Sequence, residues 1–259
     1  MQIAITDNQD IFCAGFYSEI GTFSIKGSYF LAINGKTGEV AKENHKEFGI
    51  DFITQNMTEK EERKTKKKDD KGKNVELYEY DLDEIILRKD GGAYLIGEQF
   101  FIEVIITSYT DANGHMHTRR TYIYNYNDII VINISRDGEI AWTEKIAKKQ
   151  ISKNDGGYYA SYSRALIGNK LYFVFNDNVK NLLYKGSGKL YNFKARKESN
   201  VVVVGLSNTG KQTKEALFTT RDVETLIRPK VSKQISEHEL ILFGKKRKTN
   251  QFSKLTFKD

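Results

Sequence analysis

The residues of this chain best equipped to bind or react fall into a few short stretches. In the insertion from Asn178 to Ser199, Tyr184, Tyr191 and Phe193 interleave with Lys185, Lys189, Lys194 and Arg196. Rings set among cations can stack on flat groups while the charges hold a polyanion, the composition of a nucleic-acid groove. Lys245, Lys246 and Arg247 form a second basic run near the C-terminal end. A β-hairpin with a basic outer face has the same composition and asks for no ligand. Gly186-Ser187-Gly188, inside the first stretch, fits a flexible turn and lacks the spacing of a phosphate-binding loop.

His115 and His117 form an H-x-H pair, which on a strand would put both imidazoles on one face. A metal site needs three or four converging ligands, and no Cys or paired acidic motif stands beside this pair. Asp111-Ala-Asn-Gly114 reads as a turn, which places the histidines at the tip of a polar tongue from Phe101 to Tyr126. His45 and His238 have no companions in sequence and read as exposed strand or turn residues. Glu98 closes an apolar strand and would need a second carboxylate for acid–base work. Asn176-Asp177-Asn178 and Asn127-Asp128 offer oxygen ligands without calcium-loop spacing, so they are expected to bond their own backbone at strand ends. Asp90-Gly-Gly92 and Asp155-Gly-Gly157 read as turns, since neither opens a helix, and no serine lies in a nucleophile-elbow pattern. None of these patterns assigns a catalytic residue, a metal or a cofactor.

The elements that must position these residues are strands. Fifteen Tyr and fifteen Phe stand against one Pro and one Trp, with many Ile and Val, in 259 residues. The single Cys13 rules out an internal disulfide framework and is expected to be a small buried strand residue. No apolar run approaches the roughly 20 residues that span a bilayer, so no transmembrane helix is expected. The start, Met1 to Phe12, shows no signal peptide. The formal charge of +7 is concentrated in the insertions and the last part of the chain. If those segments met on one face they would draw an anionic partner.

The strands repeat. Asp90 to Phe100 (DGGAYLIGEQF) followed, after the tongue, by Asn127 to Gln150 (NDIIVINISRDGEIAWTEKIAKKQ) is the fullest unit. Asp10 to Ser18 with Ser28 to Phe48, Asn169 to Asn178 with Asn200 to Phe218, and His238 to Lys246 with the final residues are weaker copies. Aligning their turns brings Gly38, Gly138 and Gly210 into one register, each where a hairpin turn demands a positive φ. Gly15, Gly97, Phe175 and Gly244 share a second register, spaced 82, 78 and 69 residues apart. With a further strand ahead of each copy (Gln2 to Thr6, Leu77 to Leu87, Tyr158 to Leu166, Arg228 to Ile235), each unit reads as a four-stranded antiparallel meander. Trp142, alternating with Ile140, is expected to share its face and pack against the adjoining unit. Thr58 to Lys68 is the one helix candidate, with Thr58 and Glu61 forming a capping box and no apolar face.

Serial four-stranded meanders are the signature of a β-propeller. The fullest unit resembles the bacterial propeller-like repeat proteins whose units run DGG, strand, G, strand, DG, strand with Trp. Strong only over Asp90 to Gln150, the resemblance implies architecture rather than activity, and an exported or cell-envelope setting.

The sequence therefore predicts an all-β chain: a β-propeller or partial propeller of about four antiparallel blades. The last blade is incomplete and there is one short helical insertion. It reads as a single domain with units at about 1–55, 76–150, 156–220 and 226–259 and a charged insertion at 56–75. The half-formed last unit points to a C-terminal portion of a longer protein, or else to a compact four-bladed ring or a half-ring that pairs as a homodimer. The expected role is a non-catalytic binding or scaffold module. Its rivals are a carbohydrate-active propeller with clustered carboxylates at the channel mouth, Glu98 being a candidate among them, and a polyanion-binding surface. The polyanion contacts would be Lys185, Lys189, Tyr191, Lys194, Arg196, Lys245, Lys246 and Arg247, with a protein, glycan or other polyanion as partner.

Overall fold

The computed structural model describes residues 1–195 and 198–258, so Arg196, one of the expected contacts, lies outside the described residues. Strands make up 54% of the chain and helices 10%, which makes it all-β. The apolar alternation folds into four larger antiparallel sheets in chain order, and Ser24–Ile25 pairs with Leu77–Tyr78 in a small further one. The first runs Gln2–Ile5, Ile11–Tyr17, Gly27–Ile33 and Val40–Glu47, each strand beside the next. The second runs Tyr80–Leu87, Ala93–Thr110, Met116–Ile134 and Ile140–Ile146, with Gln150–Lys153 on the far half of the third strand. The third runs Ser163–Ile167, Lys170–Asn178, Ser199–Leu206 and Gln212–Thr219. In the fourth, Leu226–Ile227 and Lys233–Gln234 share one edge of Glu239–Lys246, and Thr249–Thr256 takes the other. It has three strand positions among the described residues.

Period-2 alternation puts opposite faces of each strand into different cores. Leu95, Ile130, Ile132 and Ile134 of the second sheet meet Ala14, Phe30 and Ala32 of the first. Their neighbours Tyr94, Ile96, Ile129 and Val131 meet Leu171, Phe173, Phe175, Val202 and Val204 of the third. Val174 and Val201 of the third sheet then meet Ile227, Leu240 and Leu242 of the fourth. Each Val, Leu, Ile or Phe among them contributes roughly 1.5–3 kcal/mol on full burial, so these three interfaces hold the sheets in series.

The turn glycines behave as their register predicts: Gly38, Gly138 and Gly210 have φ of 73°, 87° and 83°. The second register is a close-packing position. A Cβ on Gly97 would fall 2.7 Å from the Asp81 carbonyl and 3.2 Å from the Phe16 ring of the first sheet. Cys13 is buried on Ile11–Tyr17. The helix at Glu59–Asp69 carries the capping box on Thr58 and Glu61, with acidic residues in its first turn and basic ones in its last, matching the helix dipole.

The expectation for Trp142 needs correction. Ile140 faces the first sheet, whereas Trp142 packs against the core shared with the third. A β-bulge between them, with Ile140 opposite Ile134 and Trp142 opposite Asn133, breaks the alternation. The Asx clusters are corrected too. Asn176 and Asp177 lie within a strand and are buried. Asn176 binds the Ile227 N–H and carbonyl and the Tyr159 carbonyl, and so ties the third sheet to the fourth. Asp177 pairs with Lys214 at 2.7 Å. Asn178 keeps the expected local role, capping the short turn that follows through the Lys180 N–H, and Asp177 keeps part of it, its Oδ1 accepting from the Asn178 N–H at 2.8 Å.

Candidate functional site

The first strands of the second, third and fourth sheets bring their polar side chains to one cleft of about 540 Å³. Tyr80–Leu87 supplies Asp81, Asp83 and Glu84; Ala93–Thr110 supplies Glu98; the approach to Ser163–Ile167 supplies Ser161 and Tyr162, with Arg164 on the strand. The segment Pro229 to Gln234 closes it with Lys230 and Lys233. Glu98 reaches it because it is the residue after the close-packed Gly97, on the face turned to the third sheet.

Glu98 is almost fully buried, and its Oε1 lies 2.6 Å from the Nζ of fully buried Lys148. The approach is bent, so this is an ionic contact rather than a well-aligned hydrogen bond. Oε2 accepts from the Ser161 hydroxyl at 2.7 Å. Lys148 spends its other protons on the Tyr126 carbonyl, 3.0 Å, and Gln150 Oε1, 3.3 Å, and Gln150 donates to the Asn176 carbonyl at 2.7 Å. Two charges at this depth persist only when so many partners compensate them. Nearer solvent, Arg164 Nε donates to Glu84 at 2.7 Å and the Tyr162 hydroxyl donates to Asp83. Desolvation of the Asp83 carboxyl, aided by Glu98 and Glu84, raises its pKa, while the bond from Tyr162 works against that. Lys230 Nζ donates to the Tyr126 hydroxyl at 2.8 Å and sits 4.2 Å from that ring's centre. The clustered carboxylates that a carbohydrate-active reading requires are thus present in one cleft.

The basic contacts expected from sequence are divided among several places. Lys189, Tyr191 and Lys194 join Lys149 and Lys180 around a second groove, also of about 540 Å³, with Glu198 the acidic residue of its lining. Lys180 and Lys189 each hold their Nζ 5.0 Å from the Tyr191 ring centre. Lys185 lies elsewhere, in a cleft with Lys145 and Lys214. Lys246 and Arg247, on the hairpin of the fourth sheet, approach Glu224 at 3.5 and 3.9 Å, and Lys245 lies 5.7 Å from the Tyr158 ring. Lys149 and Lys180 could have been found from sequence only by knowing that Gln150 bridges to Phe193, which folds the insertion back on the second sheet.

His115 and His117 sit at the tongue tip as expected, and both turn to Asp111, His117 Nε2 at 2.7 Å and His115 Nδ1 at 3.6 Å. The bond from His117 and, after it, that from the His115 backbone N–H hold the Asp111 carboxyl below its usual range. His45 is exposed and lies 3.7 Å from Glu43. Among the described residues no group of three or more His, Cys, Asp or Glu is placed to hold a metal, and no helix is long and apolar enough to cross a membrane.

Behind the cleft lies a second polar cluster around Asp128, which lies within Met116–Ile134 rather than at a strand end and bonds distant segments rather than its own backbone. Asp128 accepts from Asn56 Nδ2 at 3.1 Å and the Lys148 backbone N–H at 3.1 Å. Lys145 donates to the Ile53 carbonyl at 3.1 Å over the Phe52 ring, and burial lowers its pKa to about 8 against the pull of Asp128. No protein-family model, curated protein or solved structure matches the chain.

Proposed function

We propose that this chain is a propeller-type binding module that receives a neutral, hydroxyl-rich ligand such as a glycan in the cleft between its second, third and fourth sheets. The serial meanders, packed face to face in chain order, support the propeller-like reading. The observation that carries the ligand class is the balance of charge in the cleft. Asp81, Asp83, Glu84 and Glu98 are met by Arg164, Lys230, Lys233 and, behind Glu98, Lys148, and four of these eight groups already bind one another as the pairs Glu98–Lys148 and Glu84–Arg164. Such a lining offers many oriented donors and acceptors, with Phe100, Tyr126 and Tyr162 as ring surfaces, but little net field to select an ion. Binding without turnover fits Glu98, whose carboxylate is committed to Lys148 and Ser161. Calorimetric titration of neutral oligosaccharides is expected to give saturable heat that Lys233→Trp, which fills the cleft, removes without lowering Tm. Turnover of such a substrate, lost in Glu98→Gln, would establish the enzymatic alternative instead.

A second reading, polyanion binding, is favoured by the four lysines around Tyr191. It requires retention on heparin or single-stranded nucleic acid that falls steeply with salt and weakens in Lys189→Ala and Lys194→Ala. Flat retention would end it.

A further inference from the structure

The tongue is an open strand edge. Tyr80–Leu87 accompanies Ala93–Thr110 only as far as Gln99, where Glu79 takes the Phe100 N–H. From Phe101 to Thr110 no strand among the described residues runs along that side, while the other side stays paired with Met116–Ile134 to the tip. Exposed edges are normally guarded by proline or several charges. This one reads FIEVIITSYT, with Glu103 its single charge, and Ile102, Val104, Ile105 and Ile106 are each 45–61% exposed.

We propose that this edge pairs antiparallel with the same edge of a second copy, joining two tongues into a four-stranded intermolecular sheet about a twofold axis at Ile105. A second copy fits this edge because the strand complements itself about that residue. Folding the sequence on Ile105 sets Val104 against Ile106, Ile102 against Ser108, Glu103 against Thr107 and Phe101 against Tyr109 of the other copy. The apolar pairs fall together and one aromatic pair forms at each end, an arrangement that stabilises cross-strand contacts. The backbone parity agrees. Because the Phe100 N–H points to this edge, so do those of Ile102, Val104, Ile106 and Ser108, which makes Val104 with Ile106 a hydrogen-bonded pair and Ile105 with itself a non-hydrogen-bonded one. Charge is complementary as well. Thr107 is paired within its own copy to Arg119, so each Glu103 lies on the same face as the other copy's Arg119, one strand beyond Thr107.

Sedimentation and a cysteine scan test this directly. The whole chain is expected to form a concentration-dependent dimer, and Ile105→Lys, which sets two cations face to face on the axis, is expected to be monomeric with an unchanged circular dichroism spectrum. A non-hydrogen-bonded antiparallel pair has its Cα atoms about 4.5 Å apart, within disulfide reach. Mild oxidation of Ile105→Cys should therefore give a covalent dimer on a non-reducing gel. Ser108→Cys should give none, its twofold mate being about 20 Å along the strand. A wild-type chain that stays monomeric at hundreds of micromolar overturns the proposal. So does an Ile105→Cys chain that resists cross-linking, or one that cross-links no faster than Ser108→Cys.

Discussion

Lys42 and Trp142 occupy the same place in successive sheets and do the same work with different chemistry. Each lies four residues after its turn glycine and just past a bulge, and donates to the carbonyl two residues before the turn glycine of the next sheet. Lys42 Nζ reaches the Arg136 carbonyl at 2.9 Å, and Trp142 Nε1 reaches that of Asn208 at 2.7 Å. Lys214 has the same offset, but no bulge precedes it, so its side chain turns to the other face and pairs with Asp177. Trp142→Phe keeps a ring beside Tyr94 and loses the donor, and is expected to cost about 1 kcal/mol in denaturant unfolding. Lys42→Met should cost less, because Lys42 is exposed and its ammonium is readily rehydrated, whereas Trp142 is half-buried beside Tyr94. Equal and negligible costs would show that these bonds do not hold the sheets together.

The turn glycines should separate by what surrounds them. All take positive φ, so alanine at any of them costs about 1 kcal/mol in backbone strain. A Cβ on Gly38 meets nothing within 4 Å, whereas one on Gly138 falls 3.0 Å from Lys42 Cδ and 3.2 Å from Phe30 Cε1. Gly38→Ala is expected to lose about 1 kcal/mol and Gly138→Ala about 2, since the second also presses on the interface of the first two sheets. Midpoints of urea unfolding measure both.

The ion pair of Glu98 and Lys148 should prove strongly non-additive. Lys148→Met strands a buried carboxylate and is expected to cost about 3–5 kcal/mol. Glu98→Gln strands an ammonium that still holds the Tyr126 carbonyl and Gln150, and should cost less. The double variant, with no buried charge left, should be more stable than Lys148→Met alone. A double variant as damaged as the sum of the singles would mean that the two residues act independently.

The architecture was legible where local chemistry repeats: the turn glycines, the alternating Ile and Val runs and the capping box all act over a few residues. The bulge at Ala141 was not, because a one-residue insertion leaves the apolar pattern looking like plain alternation while it turns Trp142 to the opposite face. The cleft was half legible. Glu98 could be placed at a strand end, but Lys148, Ser161 and Asp83 reach it from segments 15 to 63 residues away in sequence. The lysine groove likewise depends on one bridge between Gln150 and Phe193. Asn176 and one oxygen of Asp177 depart from the expected local bonding because an Asx cluster at the end of a strand looks the same whether it bonds its own backbone or a distant partner.

Lys145 makes stability depend on alkaline pH. Burial holds its ammonium at a pKa of about 8, while an unfolded chain would hold it near the ordinary lysine value of about 10.4. Between those values the unfolded state binds more protons than the folded one, so this residue's contribution to stability rises with pH across that window. Below about pH 8 its cost is present in full, and the ammonium is tolerated because it donates to the Ile53 carbonyl and feels Asp128. Lys145→Met removes the titration together with the bond to Ile53. Relative to wild type, the variant is expected to be at its best near pH 7 and to lose up to about 3 kcal/mol of that relative standing by pH 10.5. Chemical unfolding of both proteins at pH 7, 8.5 and 10 measures the difference. A gap that stays constant with pH would mean that Lys145 keeps its ordinary proton affinity in the folded chain.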